Sequence, residues 1–145
     1  MSGNVPMINW GGVKIRKDDV ENKSTLKIPN DPKTYYVIEF KTGVRMVYEE
    51  SKGGRAGSYN LITSTSSSFE NIKGLSVEGT QKDDLVYVQN CKIDRINLAN
   101  DDNNENIHDN IFVYDSKGGE VRLGQNDFKT AENNENVKFT RVEDR

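Results

Sequence analysis

The apolar residues of this chain occur in short runs of β-branched and aromatic side chains separated by Gly, Asn and charged residues. No window contains the sustained apolar stripe, with a period of 3.6 residues, that marks an amphipathic helix. The longest apolar run is Tyr35–Ile38, which is far shorter than the roughly 20 residues of a membrane-spanning helix. Short runs of this kind between turn residues are typical of strands. The sequence therefore predicts an all-β protein with no membrane association.

The composition favours strands that bury one face. Only 33% of the 145 residues are hydrophobic and 30% are charged, so few side chains are available for a core. An antiparallel sheet with one solvated face needs few apolar residues, because polar side chains take every second position. We therefore predict one β-rich domain over residues 1–145, built as an antiparallel sandwich or an irregular barrel of short strands.

Two segments are predicted to be β-hairpins. In residues 35–48 and again in residues 110–123, two strand-like runs flank a short turn that contains Gly. Gly43 lies in the first turn, and the pair Gly118-Gly119 lies in the second. Strands joined by a few residues containing Gly commonly form a hairpin with a bulge or a short loop.

A tetrapeptide motif suggests an alternative fold. It consists of an acid or amide, Asn, a small or apolar residue and a basic residue. The motif resembles the rungs of right-handed parallel β-helix proteins, in which stacked asparagines line a turn. Its Asn residues are 19, 16 and 30 positions apart, whereas a solenoid has a steadier period, so a short parallel β-helix remains the alternative. The four copies are Glu70-Asn71-Ile72-Lys73, Gln89-Asn90-Cys91-Lys92, Glu105-Asn106-Ile107-His108 and Glu135-Asn136-Val137-Lys138.

Charge and targeting signals argue against several classes of function. The net charge is −3, and the 20 basic residues are spread along the chain, so no basic patch is available to neutralise a run of phosphates. We therefore expect no nucleic-acid partner. Residues 1–10 lack the basic and apolar regions of a signal peptide. This predicts synthesis in the cytoplasm, followed by a soluble life there or incorporation into a virion or another assembly.

The single cysteine and the single histidine define the only Cys–His pair that could perform nucleophilic catalysis. A reactive Cys91 would need a base such as His108 to form its thiolate. Cys91 lies in an alternating strand, in which it would share a face with Leu85, Tyr87 and Gln89, and a buried free Cys usually packs as a small hydrophobe. No triad order, zinc-ligand spacing or nucleotide-binding motif is present. We therefore predict a protein that is not an enzyme and needs no cofactor.

An acidic segment is the one candidate for binding a metal ion. Asp101, Asp102 and Glu105 offer clustered oxygens of the kind that Ca²⁺ prefers. An EF-hand loop does not fit, because the position that requires Gly holds Asn106 or Ile107. The competing interpretation is a solvated loop of turn-forming residues.

Five residues are candidates for contacts with a partner. Gly-rich turns surround several of them, and such turns often carry binding residues. Trp10 could also stack on a sugar ring or dock a protein, although packing at the edge of the core is the more ordinary role for it. The candidates are Trp10, Lys52, Arg55, Tyr59 and Lys117.

These features together predict a non-enzymatic structural or interaction module. The first hypothesis is a subunit of a larger assembly, such as a virion, a tail or a surface structure, with edge strands such as Tyr35–Phe40 available to pair with a neighbour or with another copy. The alternatives are a small inhibitor of the immunity or anti-defence type, which binds one protein partner, and a carbohydrate-binding module.

Overall fold

The computed structural model describes residues 5–49, 59–60, 64–80, 83–99 and 107–142. In this part of the chain the regular elements are strands, together with one short 3-10 turn at Lys17–Asp19. This confirms the all-β prediction. The strands are β1 (Met7–Trp10), β2 (Val13–Arg16), β3 (Val20–Lys27), β4 (Thr34–Phe40), β5 (Arg45–Tyr48), β6 (Tyr59–Asn60), β7 (Ser64–Glu70), β8 (Lys73–Glu78), β9 (Asp83–Gln89), β10 (Lys92–Asn97), β11 (Asn110–Tyr114), β12 (Glu120–Leu123), β13 (Phe128–Glu132) and β14 (Lys138–Arg141).

The N-terminal strands pair antiparallel, as expected. β1 and β2 form a two-stranded ribbon, and β3, β4 and β5 form a three-stranded sheet in that order. The hairpin predicted at residues 35–48 is confirmed, because β4 pairs with β5 through a turn that holds Gly43 at a φ of +95°. The suggestion that Tyr35–Phe40 is an edge strand is wrong, since β4 lies between β3 and β5.

From β7 onward, consecutive strands alternate between two sheets and pair in parallel. β7, β9, β11 and β13 lie in one sheet, whereas β8, β10, β12 and β14 lie in the other. Each successive pair is one coil of a stack: coil 1 is β7–β8, coil 2 is β9–β10, coil 3 is β11–β12 and coil 4 is β13–β14. Antiparallel pairing throughout, as in the predicted sandwich or barrel, does not hold here. The parallel pairing is that of the alternative fold.

The second predicted hairpin, at residues 110–123, is wrong. β11 pairs with β9 and β13, whereas β12 pairs with β10 and β14. The turn therefore carries the chain from one sheet to the other. Gly118 and Gly119 adopt positive φ angles of 60° and 87° at this corner. A Cβ on Gly119 would lie 2.2 Å from the carbonyl oxygen of Ile93, so the glycine is required by close coil stacking and not by hairpin formation.

Strands β9 and β11 are buried on both faces, which explains the continuous apolar runs in them. Val86 and Val88 point into the coil stack with Ile111 and Val113. The alternate residues of these two strands point to the other face, where they form a second core against the antiparallel strands. In this core the ring centroids of Phe40 and Phe112 lie 4.8 Å apart. This second core contains Leu85, Tyr87, Phe112, Tyr114, Val13, Ile15, Ile38, Phe40, Met46 and Tyr48.

One corner of the coils is built by stacked residues in the left-handed conformation. Asn71, Asn90, Asp115 and Asn133 have φ between 53° and 60°, a region that Asn and Asp tolerate better than most residues. Asn90 Nδ2 donates to Asn71 Oδ1 at 2.7 Å, and Asn133 Nδ2 donates to Asp115 Oδ1 at 2.7 Å. Each left-handed residue turns the chain between sheets, and the amide hydrogen bonds join neighbouring coils.

Inside the same corner, each coil accepts a backbone hydrogen bond from the preceding coil. Cys91 Sγ accepts from the Ile72 N–H at 3.4 Å, and Ser116 Oγ accepts from the Cys91 N–H at 3.1 Å. Asn134 Oδ1 then accepts from the Ser116 N–H at 2.9 Å. Since buried N–H groups need acceptors, this inner ladder explains why small polar side chains occupy an otherwise apolar interior.

Substitutions at Asn90 separate the two contributions of the corner. We expect Asn90→Ala to lower the free energy of unfolding by about 1–2 kcal/mol, because Ala tolerates positive φ less well than Asn does and because the amide hydrogen bond is lost. Asn90→Gly should lose about 1 kcal/mol less, since Gly adopts this φ freely. Urea denaturation measures both, with the exposed Asn22→Ala as a control. Equal losses for Gly and Ala at position 90 would contradict the account of this corner.

Candidate functional site

The two ends of the coil stack differ, and coil 1 forms an apolar open end. Phe69 and Leu75 are buried there, while Ile72 and Val77 pack against the core and stay partly exposed. These side chains, with Ser67, line a groove of about 360 Å³. In the described residues, coil 1 therefore presents an interior that no further coil covers.

Strand β8 is the outer strand of its sheet at this end. The N–H of Gly79 bonds to the carbonyl of Asn97 in β10, and alternate residues of a strand direct their backbone groups to the same side. Val77 therefore faces β10, whereas Ser76 and Glu78 direct N–H and C=O away from the sheet. Strand β7 differs, because β6 pairs with its outer edge at Ser66 and Thr65. β8 is thus the edge at the open end that offers backbone groups to a partner strand.

Coil 4 closes the opposite end with positive charge. Lys129 is in register with the inward residue Ile111, and its Nζ lies 4.5 Å from the ring centroid of Phe139. Arg141 is in register with Leu123, and its guanidinium donates to the carbonyls of Gly124 at 2.7 Å and Asp127 at 2.9 Å. Cations at inward positions of edge strands hinder pairing with other strands, so this end is a cap.

Three carboxylates stack along another edge of the coils. Asp84, Asp109 and Asp127 are buried at equivalent positions in coils 2, 3 and 4. Asp109 Oδ1 accepts the N–H of Asp84 at 2.8 Å, and Asp127 Oδ1 accepts the N–H of Asp109 at 2.9 Å. The carboxylates therefore join the coils through backbone hydrogen bonds, in the same way as the inner ladder.

The metal hypothesis stays a prediction. Asp101, Asp102 and Glu105 lie outside the described residues. In the part of the chain that is described, no group of three or more His, Cys, Asp and Glu side chains is arranged to hold a metal ion.

The structure separates the Cys–His pair. Cys91 lies beyond the end of β9, whereas the backbone N–H of His108 bonds to Asp83 at the start of β9. The length of β9 between them is about 20 Å at 3.3 Å per residue. Burial raises the pKa of the Cys91 thiol, and Cys91 packs with Val86 and Val88. The predicted face shared with Leu85 and Tyr87 is wrong, because the left-handed Asn90 interrupts the alternation.

Trp10 serves as a packing residue between the antiparallel elements. Its Nε1 donates to the carbonyl of Ser24 at 2.9 Å, and its ring meets Tyr36 edge-on at 5.5 Å. Lys23 Nζ lies 4.9 Å from the Trp10 ring centroid. The half-buried indole therefore anchors β1 to the neighbouring sheet, as the ordinary interpretation of the sequence had it.

The other predicted partner contacts are not brought together in the described structure. Lys52 and Arg55 lie outside the described residues, and Tyr59 begins the short strand β6. Lys117 is exposed at the corner of coil 3, where its backbone bridges Lys92 and Glu135. The sequence did not identify β8 as a site, because an unpaired edge depends on the arrangement of all the other strands.

A buried cation joins the antiparallel part to the coils. Arg16 lies with its guanidinium carbon 3.8 Å from the centroid of the Tyr114 ring, and its Nη1 bonds to Glu132 Oε2 at 2.9 Å. Its backbone N–H donates to the hydroxyl of Tyr87, and the Tyr114 hydroxyl donates to Asp19 at 2.9 Å. Burial raises the pKa of both tyrosines, so these hydroxyls stay neutral at physiological pH. The cluster is a structural junction.

Comparisons with protein-family models, with curated proteins and with solved structures find no significant match for this chain. Among the described residues, there is no helix with the length and apolar character needed to span a membrane.

The carboxylate ladder predicts a pH-dependent contribution from Asp84. Burial, followed by the nearby charges of Asp127 and Asp83, raises the pKa of Asp84 above its ordinary value of 3.8, although hydrogen bonds from Thr80 act in the opposite direction. A raised pKa in the folded state gives stability that is present below about pH 4 and is lost as the pH rises through the folded pKa. The free energy of unfolding of Asp84→Asn, taken relative to that of the wild type, should therefore be higher at pH 7 than at pH 3.5.

Urea denaturation of the Asp84→Asn variant and the wild type across this pH range measures the difference in unfolding free energy. A difference that stays constant, or that favours the wild type more strongly as the pH rises, would contradict this electrostatic account of the ladder.

Proposed function

We propose that this chain is a non-enzymatic structural subunit that joins a larger assembly through the open end of its coil stack. The observation that carries the proposal is the contrast between the two ends. Among the described residues, coil 1 presents apolar side chains and a strand edge with no partner strand, whereas coil 4 places Lys129 and Arg141 at inward positions. Unprotected sheet edges favour pairing with another chain, and charged ones oppose it.

The difference between the two ends favours a closed assembly with one defined contact rather than an open filament. Head-to-tail stacking would need coil 4 of one copy to accept coil 1 of the next, and the inward charge of Lys129 opposes this. Repeat proteins usually protect both terminal repeats with polar residues. Protection at one end alone favours an assembly that is closed by pairing at the other end.

A non-catalytic role accords with the chemistry of the described residues. Asp84, Asp109 and Asp127 accept backbone hydrogen bonds in the ladder, and Cys91 is buried far from His108. Arg16 is held between Tyr114 and Glu132. The polar side chains of the described residues that resemble catalytic groups in sequence thus have structural partners.

The test is the native mass of an epitope-tagged chain in its source, for the wild type and for Val77→Lys. The substitution places an inward cation on β8, as Lys129 does on β13, and should abolish assembly. The wild type should elute in a defined complex, and Val77→Lys should elute at the mass of one tagged chain, which is 16.4 kDa plus the tag. Val137→Lys, which places a cation near the capped end, is the matched control and should keep the complex.

A wild-type chain that elutes as a monomer under all conditions would contradict the proposed function. So would a complex that survives Val77→Lys while Val137→Lys disrupts it. Thermal denaturation of each variant is measured alongside, so that loss of the complex is compared only between folded proteins.

A further inference from the structure

We infer that the partner at the open end is a second copy of this chain, bound through antiparallel pairing of β8 with β8. The inference rests on the proposed function and names the partner. The sheet β14-β12-β10-β8 of one copy would join the same sheet of the second copy into one continuous sheet, with the two β8 strands at its centre. Mixed sheets of this kind are common, and a two-fold contact needs one surface that is complementary to itself.

The side chains of β8 satisfy that requirement in one register. With Ser76 placed at the two-fold axis, Leu75 lies opposite Val77 of the second copy. Leu75 is buried and Val77 is partly buried in the coil interior, so the apolar residues meet on the same face. Ser76 is exposed on the other face and meets its own counterpart. A shift by one residue would place Leu75 opposite the outward Ser76 and lose this match.

The backbone groups fit the same register. Ser76 and Glu78 direct N–H and C=O away from β10, as the bond from Gly79 to Asn97 indicates. Antiparallel pairing about Ser76 gives a reciprocal pair of hydrogen bonds between the two Ser76 residues, which would then find partners for the groups that they direct away from β10. The pairing continues as far as Gly74, where a positive φ and an irregular register end the regular part of the strand.

Charge complementarity also favours a second copy. Lys73 and Glu78 are exposed at opposite ends of β8. In the antiparallel register, Glu78 lies opposite Gly74 of the second copy, next to Lys73. The positive φ of Gly74 and the irregular register beside it interrupt the strand alternation, so that Lys73 is exposed as Glu78 is and its long side chain can reach the carboxylate. The two-fold axis repeats this contact, so that each dimer contains two such pairs. Parallel pairing would instead place like charges beside each other.

A further in-register coil is a poorer partner. At the inner corner, Cys91, Ser116 and Asn134 each accept the N–H of the preceding coil. The equivalent residue of coil 1 is Ile72, whose side chain has no acceptor. A coil stacked before coil 1 would leave its buried N–H at this position without the ladder bond, which carries a free-energy penalty. Strand pairing at β8 alone avoids that penalty.

Disulfide trapping of the purified full chain tests the register. At a directly opposed, hydrogen-bonded position the two Cα atoms are about 5.5 Å apart, a separation that a disulfide can bridge. Ser76→Cys should therefore form a covalent dimer on mild oxidation. Thr130→Cys, on the exposed face of β13 at the capped end, is the matched control and should stay monomeric. The wild-type chain, treated in the same way, controls for cross-linking through the native Cys91. Failure of Ser76→Cys to cross-link, or equal cross-linking of Thr130→Cys, would overturn the inference.

Charge exchange tests the same contact without cysteine. Lys73→Glu places like charges across the two-fold axis and should raise the dimer dissociation constant about tenfold. The double variant Lys73→Glu/Glu78→Lys should restore it to within about threefold of the wild type. Light scattering at several concentrations measures the constants. A double variant as weak as the single one, or a monomeric wild type, would overturn the pairing of β8 with β8.

The two proposals can fail separately. If the purified chain is monomeric but its native complex is lost in Val77→Lys, the partner is a different protein and the proposed function stands. If the native complex is also absent, both proposals fail.

Discussion

Burial of the central strands β9 and β11 on both faces is the constraint on which the rest of the structure depends. Along β9 and β11, alternate residues fill the coil stack and the layer against the antiparallel strands. A chain with 33% hydrophobic residues can build two cores only if central strands serve both, because each buried side chain then contributes roughly 1.5–3 kcal/mol on one face or the other. The remaining strands can then be polar on their outer faces, as β8 is at the exposed Ser76 and Glu78.

This arrangement also explains how polar residues organise the stack. The coils are joined at their corners by hydrogen bonds from Asn, Ser, Cys and Asp side chains to neighbouring backbones. Arg16 adds a charged contact between the antiparallel part and coils 3 and 4 through Asp115, at 3.7 Å, and Glu132. The coil interior and the junction are therefore specified by different interactions, one mainly apolar and hydrogen-bonded, the other aromatic and ionic.

The sequence predicted features that depend on local chemistry. The hairpin at residues 35–48 was predicted because its turn and both strands are adjacent in the chain. The segment at residues 110–123 has the same local pattern, but its strands pair with distant residues, which no short window contains. The asparagine motif indicated stacked turns, and two of its four copies, at Asn71 and Asn90, lie at the corner; Asn136 lies outside the corner, and Asn106 lies outside the described residues. The period could not be read, because Asp115 replaces Asn in coil 3 and the connection from β10 to β11 is longer than the others. The observed corner residues, 71, 90, 115 and 133, are 19, 25 and 18 positions apart.

The candidate site was beyond prediction from sequence for a related reason. Leu75 and Val77 look like ordinary core residues in an alternating strand, and only the order of strands shows that β8 is an edge. Likewise, Lys129 and Arg141 look like surface charges until the register places them opposite inward residues of coil 3. Trp10 contacts the Ser24 carbonyl and the Tyr36 ring in the structure, whereas its predicted contact with a partner stays a prediction.

The most direct measurement of the central claim is backbone hydrogen exchange at β8 as a function of protein concentration. Hydrogen exchange reports whether an amide is bonded and how often that bond opens. The account predicts that the amides of Ser76 and Glu78 become protected as concentration rises, while those of the capped strands β13 and β14 do not change. Exchange at Ser76 and Glu78 that is independent of concentration, or protection that appears first at β13 and β14, would contradict it.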